Sequence, residues 1–86
     1  MSKTLESGLH RHLSDFLAAE RRRAGLTQAE LAERLGRNRV QSYVANIEAG
    51  QRRVDVVELI WLAQVLGFDP KSAVGHLEDM MRLEGE

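Results

Sequence analysis

The chain has 86 residues and no cysteine, so it has room for one small domain without disulfides or thiolate metal sites. No apolar run approaches the roughly 20 residues of a membrane span, and no signal-peptide core opens the chain, which predicts a cytoplasmic protein. The net charge of −1 conceals a division: residues 1–54 carry ten Lys or Arg against six Asp or Glu, and residues 55–86 carry two against seven. That asymmetry predicts a basic working face and an acidic remainder.

In chain order the punctuation is helical throughout, with one proline, no alternating strand pattern and no internal repeat. Residues 1–8 are expected to be a flexible lead, with Gly8 as a break, and residues 9–86 a single domain. Leu9, Leu13, Phe16 and Leu17 predict a first helix from about Leu9 to Ala24, stopped by Gly25. Thr27 and Glu30 have the spacing of a capping box and open a second helix, which ends near Leu35 before Gly36. Asn38 and Gln41 repeat that grammar, so a third helix is expected from Arg39, with Val40, Val44 and Ile47 inward. Gln41, Ser42, Ala45 and Asn46 face the other way.

Asp55 and Glu58 predict a third capping box, opening a helix that runs to Leu66. Val56, Leu59, Ile60, Ala63 and Leu66 make its expected core face, and Val57, Trp61 and Val65 a second apolar stripe. Asp69 before Pro70 caps a fifth helix, to about Leu83, with Val74, Leu77, Met80 and Met81 in line. The expected fold is all-α: five short helices with brief connections.

Helices two and three, joined through Gly36, Arg37 and Asn38, make a helix-turn-helix candidate. The major groove of DNA, about 12 Å wide, admits one helix whose short polar side chains bond base edges. The start of the preceding helix, at Thr27 and Gln28, offers unpaired N–H groups to a phosphate.

The runs AGLTQAELAERLG, QSYVANIEAGQRR and DVVELIWLAQVLGFDP resemble the lambda-repressor-like helix-turn-helix family, the Cro and phage-repressor type, over about Phe16 to Pro70. Gln28, Leu31-Ala32, Gly36 and Ile47-Glu48 together carry the likeness. The resemblance implies a compact five-helix domain in which Gln41, Ser42 and Asn46 read bases and Arg39 joins them if helix three is long. It implies that Thr27, Gln28, Arg37, Tyr43, Arg52 and Arg53 lie on the DNA backbone, and that Arg21 and Glu48 form a buried structural ion pair. Two departures stand out. Two extra residues precede Gln41, lengthening either helix three or the turn; the longer helix is favoured because Val40 extends the apolar stripe. Ala49 stands where relatives often carry asparagine.

No enzymatic reading is supported: Asp55 and Glu58 are explained by capping, no serine has a base nearby in sequence, and no glycine-rich phosphate loop exists. No cofactor is implied. His10 and His12 lie about 200° apart on a helix, so they do not converge on a metal, and His76 stands alone. The expected function is a dimeric regulator of transcription, a repressor or controller protein, on palindromic double-stranded DNA. Trp61, where the family usually has a polar residue, joins Val65, Leu77 and Met81 as the expected dimer interface. An antitoxin or antiactivator that grips a protein partner through the same surface is the alternative.

Overall fold

The computed structural model describes residues 2–36 and 40–84, with side chains from Gly8 onward. Five helices follow one another: α1 (Ser2–Arg23), α2 (Gln28–Leu35), α3 (Gln41–Glu48), α4 (Val56–Leu66) and α5 (Pro70–Leu83). α2 packs on α3 and α4, while α1 spans the domain and packs on both α3 and α5. The core is one cluster to which every helix contributes: Leu13 and Leu17 from α1, Leu31, Ala32 and Leu35 from α2, Val44 and Ile47 from α3, Leu59 and Leu62 from α4, and Ala73 from α5. Phe16 bridges α1 to the far end of the fold, with its ring 5.4 Å from both Phe68 and His76. On the same side His12 meets Glu84 at 2.6 Å.

Local chemistry sets the helix ends. The Thr27 hydroxyl accepts from the Glu30 N–H at 3.1 Å and the Glu30 carboxylate accepts from the Thr27 N–H at 2.8 Å, a closed capping box. Asp55 and Glu58 repeat it at the start of α4, and Asp69 caps α5 ahead of Pro70. Gly50 follows α3 at φ +79°, a conformation that favours glycine, and a Cβ there would press on the Arg11 guanidinium at 3.0 Å.

Three expectations are corrected. α1 starts at Ser2, not near Leu9, so Gly8 lies inside the helix; one glycine costs a helix only about 1 kcal/mol, too little to break a long one. α3 starts at Gln41, not Arg39, because Val40 is extended at φ −124°, ψ 169° and 57% exposed. Val40 therefore adds nothing to the inward stripe, and the connection, not the helix, takes up the extra length before Gln41. Asn38 and Arg39 lie outside the described residues. On α4 the buried face is Glu58, Leu59, Leu62 and Ala63. Val56 and Ile60, assigned inward from spacing, are 71% and 43% exposed. The helix is apolar over most of its circumference, so hydropathy alone did not fix which face turns inward.

Candidate nucleic-acid interface

α3 is two turns long and divides by polarity. Val44 and Ile47 are buried in the core, while Gln41, Ser42 and Asn46 are exposed on the opposite side. The polar face is thus presented by a helix whose other face is fixed by packing.

Three side chains from other helices hold the C-terminal end of α3. Arg21 of α1 donates to Glu48 through Nε at 2.6 Å and Nη2 at 3.0 Å, a bidentate pair whose side chains are 10% and 9% exposed. Arg21 also donates to the Leu26 carbonyl, and Gln28 of α2 donates to Glu48 Oε1 at 3.0 Å. Burial pushes the Glu48 carboxyl up, but the hydrogen bonds from Arg21 and Gln28, with the Arg21 charge, outweigh it and hold the group below the ordinary carboxylate range. Arg11 then donates to the carbonyls of Ala49 at 3.0 Å and Glu48 at 3.4 Å, capping the end of the helix. The Asn46 carbonyl accepts from the backbone N–H groups of Gln51 and Arg52, which folds the following loop against α3.

A second cluster holds the first half. Tyr43 donates its phenol proton to Glu58 Oε2 at 2.9 Å, and Arg52 reaches both oxygens of the same carboxylate at 2.9 and 3.0 Å. The Arg52 guanidinium lies 4.9 Å from the centre of the Tyr43 ring. Burial raises the Glu58 carboxyl, and the bonds from Arg52, the Asp55 N–H and Tyr43 bring it net below its usual value. Arg52 is held correspondingly more basic, first by its hydrogen bond to Glu58.

Of the residues expected on the DNA backbone, Thr27 is exposed at the start of α2 and Arg53 is exposed in the loop after α3. Gln28 is half-buried with its amide on Glu48, and Tyr43 and Arg52 are joined to Glu58. Arg37 and Arg39 lie outside the described residues. Sequence reading missed Arg11, whose partners are carbonyls 37 and 38 positions away and leave no local trace. It saw Glu58 only as a capping residue, because the cap explains one face of a carboxylate that has two.

On the acidic half, Trp61 and Val65 are half-buried on α4, and Leu77 packs against the core from α5. Met81 is 39% exposed. Val57, at 75% exposure, and Ile60, at 43%, stand further out than any of these. With Leu35, Trp61 and Gln64 they line an open groove of about 450 Å³. Among the described residues, no helix is long and apolar enough to cross a membrane.

A short helix with one polar face outward, anchored at both ends by side chains of its neighbours and preceded by a capped helix, defines a helix-turn-helix DNA-binding domain. The helix-turn-helix domain family matches residues 12–75, and the chain belongs to the lambda-repressor-like branch of these DNA-binding regulators. It is similar to a solved structure described as an XRE-family like protein from Pseudomonas syringae pv. tomato str. DC3000, at 40% identity and a TM-score of 0.81, over 92% of this chain and 94% of that one. Among curated proteins none matches the chain.

Proposed function

We propose that this chain regulates transcription as a homodimer on a palindromic operator, acting as a repressor or controller protein in the cytoplasm. The observation that carries the reading is the exposure of Gln41, Ser42 and Asn46 on one side of α3 while Val44 and Ile47 lock the other side into the core. Glutamine and asparagine bond adenine bidentately, and each good pair discriminates by about 1–3 kcal/mol. Arg39, just ahead of α3, is a fourth candidate reader. Thr27, Gln28, Arg37 and Arg53 are the proposed phosphate contacts.

The test is to select double-stranded sites from a randomised pool with the full chain, then measure Gln41→Ala and Asn46→Ala on the best site and its single-base variants. Each substitution should relax preference at its own base pairs while the fold persists. Unchanged discrimination in both variants overturns the assignment.

The second reading, a module that binds a protein partner as antitoxins and antiactivators do, is favoured by one observation: Val56, Val57 and Ile60 form a contiguous exposed apolar surface on α4. It predicts a stable one-to-one complex with another protein and no site selection by the chain alone.

A further inference from the structure

We infer that Glu58 is a positioning residue for DNA reading: through Tyr43 and Arg52 it fixes the first turn of α3, which presents Gln41 and Ser42. The inference rests on the proposal that this face reads bases.

The start of α3 has little of its own to hold it. Its N-cap is Val40, which makes no side-chain cap bond, in contrast to the closed capping boxes of α2 and α4. Two turns of helix do not hold themselves together in water. Tyr43, one and two residues after Ser42 and Gln41, supplies the attachment through its bond to Glu58 Oε2. Glu58 is itself buried and bonded. It sits in the first turn of α4 beside the core residue Leu59, and its Oε1 accepts from the Asp55 N–H at 3.0 Å. Arg52 closes the triangle, bonding both carboxylate oxygens and covering the Tyr43 ring. The same guanidinium donates to the Arg53 carbonyl at 2.7 Å, which shapes the loop that carries Arg53.

Two consequences separate this from a general contribution to stability. The far end of α3 is held independently by Arg21, Gln28 and Arg11. Loosening the Glu58 cluster therefore displaces Gln41 and Ser42 more than Asn46, which lies one turn further along. The Arg52 charge is also matched by Glu58, so the loop's phosphate contact falls to Arg53, whose side chain has no carboxylate partner among the described residues.

The experiment uses the full chain, a duplex selected by the wild type from a randomised pool, and its single-base variants, with affinities measured by fluorescence anisotropy over a range of salt. Tyr43→Phe and Glu58→Gln should each cut discrimination about tenfold, the scale of a lost hydrogen bond to a charged group, at the base pairs that Gln41→Ala affects. At the base pairs that Asn46→Ala affects, both should stay near wild type. Arg53→Gln should lower the slope of log K against log salt by about one, and Arg52→Gln should leave it unchanged. If Glu58→Gln does not fold, Tyr43→Phe keeps the ring and carries the test. Equal loss at every base pair, tracking a lower melting temperature, would show a merely structural role and overturn the inference. A slope lowered by one in Arg52→Gln would make Arg52 a phosphate contact and do the same. A wild type whose site discrimination is altered by Gln41→Ala but survives Tyr43→Phe and Glu58→Gln defeats this inference alone. A wild type that selects nothing defeats the base-reading proposal and this inference together.

Discussion

Glu48 and Glu58 bracket the reading helix, and both are nearly buried carboxylates kept ionised by an arginine and neighbouring donors. A buried charge whose partner is removed costs about 3–5 kcal/mol, more than the intact pair contributes over an apolar replacement. Among the described residues Glu48→Ala leaves the Arg21 guanidinium with only the Leu26 carbonyl, so it should lose about 3–5 kcal/mol, a large share of a stability that in small domains is about 5–15 kcal/mol. A melting temperature within a few degrees of wild type would contradict this. Both carboxyls are also held below their ordinary value in the folded chain. Their contribution is therefore complete above the unfolded carboxylate pKa of about 4.3 and is lost as pH falls through the lower folded values. Wild-type melting temperature should be level from pH 7 to about 5 and fall steeply below about 4.3, and the fall should be shallower in Glu48→Gln. An equal acid response in both chains would place the pH-sensitive groups elsewhere.

At the scale of the element, the helix starts divide into capped and uncapped. Thr27, Asp55 and Asp69 each accept a backbone N–H, and all three were legible because the cap and its partner lie two or three residues apart. Val40 caps α3 with no side-chain bond although its backbone is already in the extended conformation a cap requires. Val40→Ser should therefore stabilise the chain by about 1 kcal/mol, raising the melting temperature by about 4–8 °C in a domain of this size. Circular dichroism melts decide it: no increase would mean that the valine methyls contribute more than exposure suggests. The start of α3 was misread for the same local reason that the others were read well. Asn38 and Gln41 have capping-box spacing, and Val40 matches the apolar period, yet the chain is extended at Val40 and the helix begins one residue later.

At the scale of the molecule, the charge division in the sequence separates the proposed DNA face from α4 and α5. A single helix-turn-helix reads only a few base pairs, and two copies with reading helices about 34 Å apart span successive major grooves. The proposed two-fold axis runs through the acidic half, with Trp61, Val65, Leu77 and Met81 as the proposed interface residues. Val57 and Ile60, which are exposed and line a groove with Trp61, are proposed to join them. Trp61→Glu places a charge in that interface and should give a folded monomer with weak DNA binding that no longer favours palindromes. Sedimentation of the wild type as a monomer at micromolar concentration, or of the variant as an unchanged dimer, would count against the arrangement.

The sequence by itself determined the all-α class, three of the five helix starts, at the caps Thr27, Asp55 and Asp69, and the helix-turn-helix motif. Those features rest on interactions between residues two to four positions apart, which a linear pattern records. It also determined the pairing of Arg21 with Glu48, though only through family likeness, since nothing local joins positions 27 residues apart. Tertiary structure alone decided the rest. It turned Glu58 and Leu62 inward and Val56 and Ile60 outward on a helix apolar almost all round, because the core accepts one stripe and the other is left over. It carried α1 through Gly8, and it brought Arg11 to the end of α3 and Arg52 to Glu58. Long side chains choose partners by where packing delivers them, and that is settled only when every helix is in place.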